Sequence, residues 1–300
     1  MMSGIVLTGG SGFIGKALYD YFTAKGEKVV IVSRHQPDWI AKEYFSRWDG
    51  KTYGDWAKHL EGAKAVINLS GKSVDCRYTN RNRELILSSR TDATNAIAAA
   101  IAQCQTPPEV WLNAASATIY RHAEDRPQTE TNGEIGHGFS VDVCKAWEKS
   151  FFESRVQIRK AALRISIVLG KGSALNVLKG LTMAGLGGAM GNGHQMFSWV
   201  HVDDLCRSID YIITHKIEGP VNIASPGSVT NREFMGTLRE KLGIPFGIPQ
   251  PAWLIKMGAV LLRTEAELVL KSRWVAPEKL LKAGFEFRYK EIGSALSSLV

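Results

Sequence analysis

The sequence contains few cysteines and no long apolar run. Its four cysteines are Cys76, Cys104, Cys144 and Cys206, and no two of them have the short spacing of a metal-ligand pair. We therefore expect reduced thiols in a cytoplasmic protein and no bound metal. No apolar stretch approaches the roughly 20 residues that a membrane helix requires. The first residues have the pattern of a strand and not of a secretion signal. These features exclude disulfide-rich and membrane-spanning proteins.

Acidic residues are also in deficit. The chain has 37 lysine and arginine residues against 29 aspartate and glutamate residues, so that its formal net charge is +8. Excess positive charge attracts nucleic acids, membrane surfaces and anionic cofactors. The longest basic cluster, at residues 77–90, has helical spacing, which is typical of a solvated helix face. Because no nucleic-acid-binding motif accompanies this cluster, we expect neither a nucleic-acid nor a membrane partner.

Strand-like and helix-like segments alternate through the first half of the chain. Short apolar segments predict buried strands at residues 5–8, 29–33, 65–69, 110–114 and 161–165. Helical patterns lie between them at residues 13–24, 83–102 and 140–154. This alternation predicts an α/β protein with a parallel sheet and helices on both of its faces.

The segment between Ile5 and Gly15 is the most informative part of the chain. It places Gly9, Gly12 and Gly15 directly after a predicted strand and at the start of a predicted helix. The first glycine permits a tight turn, the second leaves the backbone open to a pyrophosphate, and the third lets the helix pack closely on the sheet. The first helical turn also favours an anion through its amides and its dipole. We predict a dinucleotide site that also includes Gly10, Ser11, Phe13 and Ile14.

The end of the second predicted strand indicates which nucleotide binds. An NAD site usually has an aspartate or glutamate at this position, which bonds the ribose 2′-hydroxyl. This chain has Ser33 and Arg34 instead. No carboxylate there repels a 2′-phosphate, and a guanidinium group binds phosphate with two hydrogen bonds. We therefore predict NADP(H), and the alternative is that Arg34 is a surface residue without a role in cofactor binding.

Several motifs resemble those of a known superfamily. They lie at residues 8–15, 68–71, 116–118, 198–204 and 280–285. With these motifs the chain resembles the extended short-chain dehydrogenase/reductases. More narrowly, it is similar to their atypical NAD(P)-dependent epimerase/dehydratase-like "epimerase family" branch, to which the human short-chain dehydrogenase family 39U is related. The resemblance implies a Rossmann-type doubly wound parallel sheet. It also implies that the fourth strand ends in residues along the cofactor's ribose and adenine, namely Asn68, Leu69, Ser70 and Gly71.

The same resemblance implies a smaller C-terminal substrate part. We predict an NADP(H)-binding domain of residues 1–170, to which residues 198–224 return. Residues 171–197 and 225–300 then form the smaller part. Its glycine-rich segment at residues 185–193 is a candidate mobile lid over the substrate.

The catalytic residues of the superfamily are only partly present. The resemblance implies a serine or threonine after the fifth strand and a Tyr-x-x-x-Lys pair on the following helix, for acid–base chemistry beside the cofactor. Ser116 fits the first role, but Ser140 and Cys144 occupy the tyrosine and lysine positions. Lys145 lies one residue further on and so about 100° around the helix. Tyr120, close to Ser116, is our candidate proton donor.

Two further departures concern the substrate. Nucleotide-sugar epimerases of the superfamily commonly have an asparagine shortly after an arginine at the sixth strand, and none follows Arg164 here. They also commonly have Arg-Asp where this chain has Phe197 and Ser198. The first hypothesis is therefore an oxidoreductase that acts on a small carbonyl or alcohol. A homodimer is a possible assembly that the sequence leaves open. The second is a non-catalytic NADPH-binding protein that reports redox state. A nucleotide-sugar epimerase is the least favoured.

Overall fold

The structure, a computed structural model, describes residues 4–261 and 265–300. Its strands are β1 (Ile5–Thr8), β2 (Val29–Ser33), β3 (Phe45–Arg47), β4 (Ala65–Asn68), β5 (Val110–Ser116), β6 (Arg159–Ile165), β7 (Ile167–Leu169), β8 (Met196–Phe197), β9 (Trp199–His201), β10 (Gly219–Ile223) and β11 (Val229–Thr230). Its helices are α1 (Phe13–Ala24), α2 (Asn80–Ile101), α3 (Phe139–Phe152), α4 (Ala174–Leu181), α5 (Val202–Thr214), α6 (Asn231–Lys241), α7 (Ala252–Leu261), α8 (Glu267–Leu270), α9 (Glu278–Lys282) and α10 (Ile292–Ser297). Among these helices, none combines the length and the apolar character needed to cross a membrane.

Seven parallel strands form the central sheet in the order β10-β6-β5-β4-β1-β2-β3. Strand order reverses at β1, which pairs with β2 on one side and with β4 on the other. Ligands of such sheets bind in the crevice at the carboxyl ends of the strands, where the order reverses. The loops that follow β1 and β4 therefore flank the expected binding crevice. The predicted Rossmann-type doubly wound sheet is confirmed.

Each face of the sheet has its own apolar core. Successive strand residues point to opposite faces, so that Ile5 and Leu7 enter one core and Val6 enters the other. Helices α1 and α5 cover the first face through Leu18 and Leu205, among others. The second face carries α2 and α3. The short apolar segments that predicted these strands are buried because both faces of the sheet are covered.

A third core lies outside the sheet and joins α4, α6 and α10. Its members include Leu175, Phe234 and Leu296.

The sequence patterns missed two strands of the main sheet, β3 and β10, which are its two edges. Strand β10 begins with Gly219 and Pro220, a pair that normally argues against a strand. An edge strand accepts proline because one side of it needs no amide donor.

Candidate functional site

Two of the three glycines in the loop after β1, Gly9 and Gly12, have the geometry that the sequence predicts. Gly9 has a φ of +68°, and a Cβ atom there would lie 2.6 Å from the Cα of Ser70. At Gly12 the backbone is extended, and a Cβ atom would meet no heavy atom within 4 Å. A Cβ atom at Gly15 would lie 2.0 Å from the carbonyl oxygen of Gly10. The close contact that requires Gly15 is thus within the loop, and not with the sheet as predicted.

The first turn of α1 is open to a ligand. Gly12 is its N-cap and provides no side-chain hydrogen bond to the helix amides. Ser11 and Gly12 are exposed, whereas Phe13 and Ile14 are half-buried, and Phe13 packs on Gly170. The open space at Gly12 and the uncapped amides together suit a pyrophosphate. These residues therefore fit a dinucleotide cofactor.

The carboxyl end of β2 also fits the prediction made for the 2′-phosphate. Ser33 is buried, and its hydroxyl donates to the carbonyl oxygen of His35 at 2.8 Å. Arg34 is exposed, and within residues 4–261 and 265–300 no hydrogen bond or ion pair holds its guanidinium group. Arg34 is thus available to an added phosphate, while Ser33 shapes the end of the strand.

The loop after β4 is fixed against the glycine loop by a buried network around Asn68. Its Oδ1 accepts hydrogen bonds from the Thr8 hydroxyl at 2.9 Å and from the Ser70 amide at 3.0 Å. Its Nδ2 donates to Asn113 at 2.7 Å. Because Asn68 is fully buried, it shapes the crevice and does not reach a ligand directly. The exposed backbone at Gly71 remains available for the predicted contact with the cofactor.

Ser116 is the last residue of β5 and lies at the carboxyl end of the sheet, as the glycine loop does. It is half-buried, and its Oγ accepts a hydrogen bond from the Thr118 amide at 3.2 Å. Because this bond uses a lone pair of the oxygen, the hydroxyl hydrogen is left to donate to another group. The position and the free donor suit the role predicted for Ser116, which is to hold a substrate oxygen.

Tyr120 has a different environment from the one its role as a proton donor requires. The side chain is 2% exposed. Its hydroxyl lies 2.9 Å from Oδ1 of Asn222 and 3.1 Å from the carbonyl oxygen of Thr129, and it accepts a hydrogen bond from Arg164 at 2.8 Å. Burial raises the pKa of Tyr120, against the opposing effect of Arg164. This placement disfavours Tyr120 as the proton donor, because the hydroxyl is fully engaged inside the protein.

Glu148 and Arg164 complete this network as a buried ion pair between α3 and β6. Nε and Nη2 of Arg164 donate to the two carboxylate oxygens, both at 2.7 Å. Such a two-bond geometry stabilises the pair in a buried setting. The network joins α3, β6 and β10 in the interior of the protein.

Helix α3 provides neither a tyrosine nor a lysine on the face that turns inward. Ser140 donates to Glu267 at 3.2 Å, and Tyr78 lies close enough for its phenol to bond with Ser140. Cys144 is buried, and burial raises the pKa of its thiol to about 11, so that the thiol is neutral. Lys145 is exposed, as its offset around the helix predicts. Helix α3 therefore lacks the Tyr-x-x-x-Lys pair of the superfamily, as its sequence indicates.

A segment of the C-terminal part, residues 265–276, crosses the protein beside Ser116, and we call it the strap. Lys271 donates to the carbonyl oxygen of Thr118 at 3.0 Å, and Arg273 donates to the hydroxyl of Thr118 at 3.2 Å. Between them, Ser272 donates to the carbonyl oxygen of Ala123 at 2.6 Å. Sequence reasoning missed the strap because no spacing in the chain links it to Ser116.

Two titratable groups of this region have shifted pKa values. Burial, followed by the nearby charge of Arg273, lowers the pKa of Lys271. Burial raises the pKa of Tyr78. Lys271 therefore lies in a partly desolvated place next to the turn that carries Ser116, and Tyr78 lies in a similar place beside Glu265 and Glu267 of the strap. Such shifts favour a binding site near the strap.

The sheet is parallel, and its open glycine loop lies where the strand order reverses. Ser116 lies at the same carboxyl end of the sheet. These features define a dinucleotide-binding protein of the Rossmann class. Residues 5–224 match the NAD dependent epimerase/dehydratase family, and the chain belongs to that family. Residues 250–299 match a separate domain of unknown function, DUF1731. The family resemblance seen in the motifs is thus confirmed, and the second match contains the whole strap.

Several relatives match the chain along its whole length. The epimerase family protein SDR39U1 of Bos taurus is 30% identical, over 99% of each chain. The epimerase family protein YfhF of Bacillus subtilis is 29% identical, over 99% of this chain and 97% of its own. A crystal structure of human SDR39U1 with NADPH has a TM-score of 0.87 at 28% identity, and the match covers 98% of each chain. The C-terminal module is therefore part of the common architecture.

Proposed function

We propose that the protein is an NADP(H)-dependent oxidoreductase that acts on a small carbonyl or alcohol. The observation that carries this proposal is that Ser116 ends β5 at the carboxyl end of the sheet, where the open glycine loop also lies, and that no bond among the described residues uses its hydroxyl hydrogen. NADPH in the crystal structure of the human relative supports NADP(H) as the cofactor. The exposed guanidinium of Arg34, in the place of a carboxylate, supports the same choice.

Different residues of the crevice bind different parts of the cofactor and the substrate. The loop from Gly9 to Gly15 offers backbone amides to the pyrophosphate, and Arg34 pairs with the 2′-phosphate. Leu69, Ser70 and Gly71 border the ribose and adenine. When bound, NADPH supplies a hydride. Ser116 donates a hydrogen bond to the substrate oxygen and so orients the carbonyl, and solvent supplies the proton, since Tyr120 is engaged elsewhere.

Removal of the Ser116 hydroxyl tests this assignment. We expect Ser116→Ala to lower kcat for reduction of an active aldehyde or ketone by about 100-fold, because a polarising hydrogen bond at the reacting oxygen is lost. NADPH affinity should stay within about twofold, since Ser116 is not in the glycine loop. The measurement is NADPH oxidation with a panel of aldehydes, ketones and quinones, combined with NADPH titration.

The matched control is Tyr120→Phe, which removes the hydroxyl that we placed in the buried network. This variant should keep most of its turnover and lose about 1–3 kcal/mol of unfolding free energy, because Arg164 and Asn222 each lose a buried partner. A Ser116→Ala enzyme as fast as the wild type, together with an inactive but folded Tyr120→Phe enzyme, would reverse our assignment.

Cofactor choice is tested at Arg34. We expect Arg34→Ala to weaken NADPH binding by about 10- to 100-fold and to leave NADH binding unchanged, because only NADPH carries the phosphate that the guanidinium binds. Fluorescence titration with both nucleotides measures this difference. Arg155→Ala is the control. Arg155 is exposed and precedes β6, so that it lies at the amino ends of the parallel strands, away from the glycine loop. A wild type that prefers NADH would contradict the proposal.

A non-catalytic NADPH-binding protein is the second candidate. Ser140 and Cys144 in the positions of the family's catalytic pair favour it. Tight NADPH binding without turnover of any member of the panel would shift the assignment to this function. A nucleotide-sugar substrate is disfavoured further, because Arg164 is committed to Glu148 and Tyr120 in the interior.

A further inference from the structure

The turn that carries Ser116 is held by two cations of the strap. Thr118 links them, since its amide bonds to Ser116, its carbonyl oxygen to Lys271 and its hydroxyl to Arg273. Ser272 anchors the strap between them, because its hydroxyl donates to Ala123 and accepts from the amide of Met196 at 2.8 Å. The cations are thus fixed beside the proposed substrate oxygen site.

Positive charge exceeds negative charge in this region of the described structure. Lys271 and Arg273 are joined by Arg90, which lies near Cys144 and Tyr78. Glu267 is the carboxylate that faces them, and Ser140 donates to it. The thiol and phenol are neutral near pH 7, because burial raises the pKa of each. Lys271 and Arg273 therefore both face Glu267, and Arg90 adds a third positive charge near Cys144 and Tyr78.

A second carboxylate, Glu265, lies at the outer end of the strap. It accepts a hydrogen bond from the backbone amide of Tyr78 at 2.8 Å and lies 3.5 Å from a guanidinium nitrogen of Arg77. Because Arg77 stands beside it, Glu265 does little to offset the charge of Lys271 and Arg273.

Fixing the turn explains only part of the role of Lys271. An ammonium group has three N–H donors, and the bond to Thr118 uses one of them. A neutral donor would bond that carbonyl oxygen without the cost of a half-buried charge beside Arg273. An anionic group on the substrate would use the remaining donors and offset the charge.

We propose that Lys271, supported by Arg273, binds a carboxylate of the substrate, so that the substrate class is a small oxo acid or the matching hydroxy acid. Ser116 would then hold the carbonyl oxygen while the strap holds the acid group. This inference rests on the proposed function, because it assigns the substrate class of the same site.

The test is calorimetry on the protein saturated with NADP⁺, so that ligands bind without turnover. The probes are 2-oxobutanoate, 3-oxobutanoate and 4-oxopentanoate, each compared with its neutral methyl ester. We expect at least one acid to bind about tenfold or more tightly than its ester. Lys271→Met should bring the ratio of acid affinity to ester affinity close to one, whereas Lys271→Arg should retain the ratio of the wild type.

Lys282→Met is the matched control, because Lys282 is an exposed lysine of the same module that pairs with Glu278. Melting curves check that each variant is folded, and Lys271→Gln replaces Lys271→Met if that variant is not. Equal affinities for acids and esters in the wild type, or a preference that survives in folded Lys271→Met or Lys271→Gln, would overturn the inference. Failure of the wild type to take up NADP⁺ would instead refute the proposed function.

Discussion

Gly12→Asp is expected to reduce NADPH affinity by at least about 100-fold, or about 2.7 kcal/mol. The side chain would enter the open space at Gly12 and place a negative charge where the pyrophosphate binds. The free protein should be as stable as the wild type or slightly more stable, because aspartate is a better N-cap than glycine and its charge favours the N-terminus of α1. Opposite effects on binding and stability would identify this turn as an anion site.

Two companion variants separate charge from space. Gly12→Asn adds a side chain of similar size without the charge, and we expect a smaller loss of affinity. Gly15→Ala should instead destabilise the free protein by about 2 kcal/mol or more, because the added Cβ would overlap the carbonyl of Gly10. Titration of NADPH and chemical denaturation measure both quantities. NADPH binding by Gly12→Asp within threefold of the wild type would argue against a pyrophosphate at this turn.

Glu148→Gln is expected to cause the largest loss of stability among the variants considered, about 3 kcal/mol or more. Removal of the carboxylate leaves the Arg164 guanidinium buried without its counter-charge. The hydrogen bond from Arg164 to Tyr120 does not replace that charge. Urea denaturation followed by circular dichroism measures the change in free energy.

Two comparisons show whether burial is the cause. Asp20→Asn breaks an exposed pair with Lys16, and it should cost less than about 0.5 kcal/mol. The double variant Glu148→Leu with Arg164→Met removes both charges, and it should be more stable than Glu148→Gln. A loss from Glu148→Gln as small as that from Asp20→Asn would mean that the pair adds little to the fold.

Local sequence was sufficient for the parts of the fold that depend on neighbours in the chain. The strands 5–8 and 29–33 and the helix 13–24 have the predicted bounds, because apolar runs and helical periodicity are local properties. The turn at Gly9 was predictable for the same reason, since a positive φ selects glycine at a single position. The edge strands β3 and β10 were missed because only their place in the sheet permits their polar and proline-containing sequences.

The candidate site was only partly predictable. Ser116 could be found from the end of a strand, but Tyr120 was assigned a catalytic role on proximity in sequence alone. Its partner Asn222 lies 102 residues further along the chain. No local pattern shows that a tyrosine hydroxyl will be buried between such partners, and so its commitment to the network is visible only in the structure.

The amino-acid sequence alone determined the inner strands of the sheet, the glycine turn and the guanidinium of Arg34 in the place of a carboxylate, because these follow from chain geometry and the charge of single residues. Tertiary structure decided what surrounds the reacting groups. It placed Lys271 against Thr118, 153 residues away, and it brought Glu148 and Arg164 together as a buried ion pair. The physical reason is that charge, burial and hydrogen bonding at a site depend on which distant segments pack together. Short-range spacing in the sequence does not show which segments these are.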